Sequence, residues 1–120
     1  MKPIVVIDDD EDMREILTEV LVQEGYPVRC FRNGAEALAG LKRDGDAALI
    51  LLDLMMPVMN GWRFREEQSR DGQLAGIPVI ALSAVADFLP PPMPRPTRLM
   101  VKPVNLDRLL EQVREVRRPS

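Results

Sequence analysis

The sequence predicts an α/β fold: one domain built on a doubly wound sheet of five parallel strands. Three observations carry this. Five short apolar runs, several of them rich in β-branched residues, are spread along the chain. Segments of helical period stand between most of them, so strand and helix alternate. The central run "AALILL" (residues 47–52) is apolar without alternation, as a strand covered on both faces must be. A chain of 120 residues is near the usual size of one domain, so residues 1–120 read as a single unit.

Each element has its own justification. "IVVID" (residues 4–8) is the first strand. The following helix places Met13, Ile16, Leu17, Val20 and Leu21 on one face, and Gly25 stops it. "YPVRCF" is the second strand. "GAEALAGLKRDG" is a weaker helix with Ala35, Leu38 and Leu41 inward, ending near Gly45. After the third strand, "GWRFREEQSRDG" is a helix packing through Trp62, Phe64 and Arg65. "IPVIAL" (residues 77–82) and "RLMV" (residues 98–101) are strands four and five. In the last helix Asn105 is the N-cap, and Leu106, Leu109, Leu110 and Val113 form the buried stripe. The crossovers are expected to be right-handed.

Composition excludes several functions. The chain is 46% apolar and 29% charged, with a net charge of −3, which gives no electrostatic argument for nucleic acid or a membrane surface. Without histidine, histidine-based catalysis and histidine–metal sites are excluded. The single cysteine, Cys30, cannot form an internal disulfide and reads as a small core residue. No apolar run is long enough to cross a bilayer, and no signal peptide precedes the first strand, so the expected location is cytoplasmic.

In open parallel sheets, ligands bind beyond the carboxyl ends of the strands. Strand one ends in Asp8-Asp9-Asp10, strand three in Asp53, strand four in Ser83 and strand five in Lys102-Pro103. Strand two ends in the less polar Phe31-Arg32, which suits a sheet edge. Neighbouring carboxylates repel by roughly 4 kcal/mol per pair at ~4 Å and an effective dielectric of 20. A divalent cation removes that cost. Oxygen-only ligands indicate Mg²⁺ or a similar hard ion. A lysine and a hydroxyl at the same rim suit a phosphoryl group. Each feature has a plainer reading: an acidic run as a helix N-cap cluster, a serine as a turn hydroxyl, a lysine as a solvated charge. Their joint placement at four strand ends argues against those readings.

These residues resemble, from end to end, a response-regulator receiver domain of two-component signalling. "IVVIDDDED" is similar to that family's acidic strand-one motif and "LILLDLMMPVMNGW" to its phosphorylation segment. "VIALSA" and "MVKPVNLDRLL" are similar to its Ser/Thr and Lys-Pro segments. The resemblance implies a flavodoxin-like sheet of order 2-1-3-4-5. It implies Asp53 as phosphoacceptor, with Mg²⁺ held by Asp9 directly, by Asp8 mainly through water, by Asp53 and by the Met55 backbone carbonyl. It implies that Ser83 and the Ala84 N–H donate to the phosphoryl oxygens, that Lys102 pairs with Asp53 or its phosphate, and that the Lys102–Pro103 bond is cis. Asp10 would cap the helix.

Three departures from the family pattern stand out. The segment where the family carries its fourth helix is crossed by Pro90, Pro91, Pro92, Pro94 and Pro96, and each interior proline costs about 3 kcal/mol in a helix. That helix is expected to be lost or mostly irregular, with at most one turn over residues 84–89 and no regular helix over residues 90–97, which should be extended or polyproline-like. The family's aromatic switch position on strand five is Leu99, so Ser83 has no ring to couple to. The positions two beyond Asp53 and Ser83 are the apolar Met55 and Val85, which orient an attacking water poorly and imply slow autodephosphorylation.

The expected function is therefore a phosphorylation-dependent switch rather than a turnover enzyme. Its chemistry would be Mg²⁺-dependent self-phosphorylation from a histidine kinase or histidine phosphotransfer protein. A downstream protein or a second copy is the expected output partner, with no direct nucleic-acid or membrane contact. The alternative is a phosphorylation-independent interaction module on the same fold. A Mg²⁺-dependent hydrolase fits less well, because the Asp-x-Asp type needs a general acid where Met55 stands. The proline-rich stretch reads either as a surface loop or as a partner or dimer surface presenting Phe88, Leu89 and Met93; a PxxP ligand over Pro91–Pro94 is a weaker reading.

Overall fold

The computed structural model describes residues 2–44, 46–54, 61–83 and 98–117, positions 61 and 62 through their backbone alone. The first apolar run forms β1 (Ile4–Ile7), with all four residues buried. It is followed by α1 (Glu11–Gln23), β2 (Val28–Phe31), α2 (Gly34–Asp44) and β3 (Leu49–Asp53). Then come α3 (Gly61–Arg70), β4 (Val79–Ser83), β5 (Arg98–Val101) and α4 (Leu106–Arg117).

The strands form one parallel sheet in the order β2-β1-β3-β4-β5, the flavodoxin-like order expected. The three inner strands are buried along their whole length, and the edge strands β2 and β5 only in part. Strand pleating sorts the core into two layers. Val5, Ile7, Ile50, Leu52, Val79 and Ala81 pack on one face with Ala37, Leu38 and Leu41 of α2 and Phe64 of α3. Ile4, Val6, Leu49, Leu51, Ile80 and Leu82 pack on the other with Leu17 and Leu21 of α1 and Leu109, Leu110 and Val113 of α4. Fully burying each Val, Leu, Ile or Phe side chain among these contributes roughly 1.5–3 kcal/mol.

Local chemistry sets the helix ends. Asp10 caps α1, its Oδ1 accepting from the Asp12 N–H (2.9 Å) and the Met13 N–H (3.4 Å). Asn33 Oδ1 accepts from the Glu36 N–H (2.8 Å), and Asn105 Oδ1 from the Arg108 N–H (3.1 Å), so the expected Asn105 cap is present. Beyond α1 the chain reverses at Gly25, whose φ of 91° is open to glycine at no steric cost.

Several expectations need correction. Ile16 is 44% exposed, because the buried arc of α1 is narrower than the apolar stripe and centres on Leu17 and Leu21. In α2 the inward phase runs Gly34, Ala37, Leu38, Leu41, and Ala35 faces solvent. Cys30 is exposed rather than core: it lies on an edge strand, shielded by one neighbouring strand only, with Sγ 3.1 Å from Thr18 Oγ1. Strands one to four shift by one or two residues from their sequence bounds, whereas β5 matches. Among the described residues there are four helices; the expectations for residues 90–97, for the lost fourth helix and for Phe88, Leu89 and Met93 fall outside the described residues, as does the Gly45 stop.

The turn between α3 and β4 is tied by a buried polar side chain. Gln68 is fully buried. Its Nε2 donates to the carbonyls of Leu74 (2.9 Å) and Ile77 (3.1 Å), and its Oε1 accepts from Arg65 Nη1 (2.7 Å). Replacing it with leucine strands those groups inside the protein. Gln68→Leu is expected to lower stability by about 2–3 kcal/mol in urea unfolding; an unchanged midpoint would contradict this account.

Candidate functional site

The site forms because the parallel register brings the ends of four adjacent strands together. β3 lies between β1 and β4, so Asp53, the last residue of β3, stands beside Asp8 just past the end of β1. Asp8 and Asp53 are almost fully buried and Asp9 is exposed. Oxygens of the three carboxylates all lie within 4.8 Å of one another. From the other side, Lys102 follows β5 and places its Nζ 3.2 Å from Asp53 Oδ1. The Lys102 N–H donates to the Ser83 carbonyl (2.8 Å), which ties this lysine to the end of β4. Ser83 is buried at that end, and the Lys102–Pro103 peptide is cis, as expected.

The acidic turn is stitched to its surroundings. The Asp8 N–H continues the ladder to the Phe31 carbonyl (3.2 Å). The Asp10 N–H donates to Asp8 Oδ1 (2.9 Å), and Arg14 Nη1 donates to the Asp8 carbonyl (2.8 Å). Asp8 Oδ2, by contrast, is buried with no hydrogen-bond partner among the described residues. Burial pushes the Asp8 carboxyl up to about 6, and the charges of Asp53 and Asp9 add to the rise. The hydrogen bond from Asp10 and the charge of Lys102 oppose it.

A hard divalent cation fits this arrangement. The donors are all oxygens, one of them buried and unsatisfied. Mg–O bonds of about 2.1 Å place ligand oxygens roughly 3–4 Å apart, close to the span seen here. Asp8, Asp9 and Asp53 are the residues that would hold it.

Of the other residues singled out in the sequence, Leu99 lies half-buried on β5, paired with Ala81 and packed against the α2–α3 side of the core. Met55, Ala84 and Val85 lie outside the described residues. Sequence reasoning missed Arg14. One signal was available: it sits four residues after the Asp10 cap, one helical turn on, where a long side chain can reach back over the strand end.

The response regulator receiver domain family model matches residues 4–114. The chain belongs to that family. The receiver is 32% identical over 117 residues to the response regulator receiver protein CpdR of Brucella abortus, covering 97% of each chain. Among solved structures, it resembles the chemotaxis protein CheY4 of Vibrio cholerae with a TM-score of 0.83 and 26% identity, covering 97% of this chain and 98% of that one. It also resembles the response regulator TrrA of Thermotoga maritima, solved in complex with Mg²⁺–BeF, with a TM-score of 0.76 and 31% identity over 97% of this chain and 99% of that one. Receiver domains of two-component response regulators are phosphoacceptors.

The raised Asp8 pKa has a definite sign in stability. The folded protein keeps the Asp8 proton up to about pH 6, whereas the unfolded chain loses it near 3.8. The contribution of this residue therefore becomes less favourable as pH rises through that window, and its full cost persists above it. In metal-free protein at neutral pH, Asp8→Asn is expected to raise stability by about 2 kcal/mol in thermal or urea unfolding. A destabilised Asp8→Asn variant would overturn the assignment of Asp8 as a strained, buried charge.

Proposed function

We propose that this receiver is a phosphorylation-dependent switch. It accepts a phosphoryl group on Asp53, with Mg²⁺, from a histidine kinase or a histidine phosphotransfer protein. The observation that carries the reading is the 3.2 Å Lys102–Asp53 ion pair set against the Asp8, Asp9 and Asp53 cluster. That arrangement presents a nucleophilic carboxylate oxygen beside a fixed positive charge. These 120 residues hold no histidine, so the phosphoryl donor lies outside them.

In this reading one Asp53 carboxylate oxygen attacks phosphorus, the bond from phosphorus to the donor's imidazole nitrogen breaks, and an acyl phosphate forms. The bound cation would neutralise charge on the phosphoryl oxygens, held by Asp8, Asp9 and Asp53 with the Met55 carbonyl. Lys102 stays with the phosphate as a point charge. The Ser83 hydroxyl and the Ala84 N–H donate to its remaining oxygens. No general base is needed, because phosphoryl transfer rests on positioning and charge neutralisation more than on proton transfer. The whole of residues 1–120 acts as one receiver domain in the cytoplasm, and its output is altered binding of a downstream protein or a second copy.

The alternative, a phosphorylation-independent interaction module, draws on Leu99. Packed against the core, this aliphatic side chain offers no ring to move when Ser83 engages a phosphate. Phosphoryl acceptance on Asp53, which the switch requires, is tested directly. Incubation with a small phosphodonor and MgCl₂ is expected to add one phosphoryl group by intact mass in the unmodified protein and none in Asp53→Asn. No addition to the unmodified protein, or addition surviving Asp53→Asn, would sink the switch.

The lifetime of that state is a further expectation. Two positions beyond Asp53 and Ser83 the sequence has Met55 and Val85, and neither apolar side chain can orient a water on the phosphorus. The phosphorylated protein is expected to release phosphate slowly after donor removal. Complete release within seconds would contradict this.

A further inference from the structure

We propose that Arg14 is a positioning residue for the metal-binding carboxylates, an inference that rests on reading Asp8, Asp9 and Asp53 as a Mg²⁺ site. Arg14 Nη1 donates to the Asp8 carbonyl oxygen at 2.8 Å in a partly buried position. The need for this donor follows from the end of the sheet. The Asp8 N–H still pairs with Phe31 of β2, so the Asp8 carbonyl points toward the same neighbour. A continued ladder would offer the Asn33 N–H there. Instead Arg32 and Asn33 turn out of the sheet, and Asn33 serves as the cap of α2. A buried carbonyl without a donor is costly, and the Arg14 guanidinium supplies one.

The bond matters because of which carbonyl it holds. The Asp8 C=O and the Asp9 N–H belong to one planar peptide unit. Anchoring the oxygen therefore sets the plane that joins the two carboxylates and fixes the direction in which Asp9 leaves the backbone. Asp9 is the exposed member of the cluster and lacks the packing that holds Asp8 and Asp53. Arg14 is itself on a rigid support: its N–H donates to the Asp10 carbonyl (3.0 Å) in the first turn of α1, below the Asp10 cap. The acidic turn is thus fixed through the Asp8 side chain by Asp10 and through the Asp8 main chain by Arg14. Partners of this outer kind commonly change metal affinity 10–100-fold when removed.

Charge and position make opposite predictions, which gives the test its discrimination. Removing a nearby cation should tighten Mg²⁺ binding if Arg14 acts only as a charge. It should weaken binding if Arg14 orients the ligands. The experiment is isothermal titration of the metal-free protein with MgCl₂ at constant ionic strength, comparing the unmodified protein with Arg14→Met, Arg14→Lys and Asp9→Asn. Thermal unfolding without metal is recorded for each. Arg14→Met, which keeps an apolar stem, is expected to raise the Mg²⁺ Kd about tenfold. An unchanged or lower Kd overturns the proposal. Should Arg14→Met fail to fold, Arg14→Lys decides: it keeps the charge but lacks the fork and reach of the guanidinium, and a weakened Kd is again expected, an unchanged one overturning the role. If the unmodified protein binds no Mg²⁺ and matches Asp9→Asn, the metal site itself falls and this inference with it. Binding by the unmodified protein with no loss in either Arg14 variant leaves the site standing and removes Arg14 alone.

Discussion

The mutual repulsion of Asp8, Asp9 and Asp53 is the constraint around which the rest of this structure is arranged. Two of these carboxylates are nearly fully buried, in a medium where like charges a few ångströms apart interact strongly. Nothing in the apolar core needs them. They stay together because β1 and β3 are adjacent and in register, and because that register is enforced by two core layers packed on either side of the sheet. The core thus supplies the stability that the site consumes. Lys102 offsets part of the repulsion through Asp53, and Asp8 Oδ2 is left with no hydrogen-bond partner among the described residues.

A site built on surplus negative charge suits a protein that switches. A bound cation would relieve a repulsion already present, and a phosphoryl group, which adds negative charge, would depend on that cation and on Lys102. The path outward is short. Lys102 is bonded through its backbone to Ser83 and through its side chain to Asp53, so the ends of β3, β4 and β5 are linked at the site. β5 is an edge strand, half covered, and any shift of Lys102 reaches it directly. Leu99 makes that edge an apolar packing element, where the family pattern places an aromatic ring.

Much of the candidate site was legible in the sequence because its residues end strands or directly follow them. Asp8, Asp53, Ser83 and Lys102 each follow an apolar run, and an apolar run is the clearest signal a parallel sheet leaves. The misreadings have physical causes. Ile16 and Ala35 belong to apolar stripes wider than, or out of phase with, the surface that the sheet offers each helix. Cys30 carries the composition of a core residue, but it sits on an edge strand that has only one neighbouring strand to shield it. Gln68 and Arg14 are polar residues on helices and read as solvent-facing; their partners are backbone carbonyls, which sequence composition does not register.

The sequence by itself determined the alternation of strand and helix, the identity of the acidic, hydroxyl and basic residues at the strand ends, and the caps Asp10 and Asn105. These follow from local periodicity and from side chains acting on their own neighbouring backbone, so a short window contains them. Tertiary structure alone decided how close the three carboxylates come, which oxygen stays unsatisfied, and that Lys102 reaches Asp53 at 3.2 Å. Those distances depend on strand order and register, set by the packing of both core layers together. No stretch of chain carries that information alone.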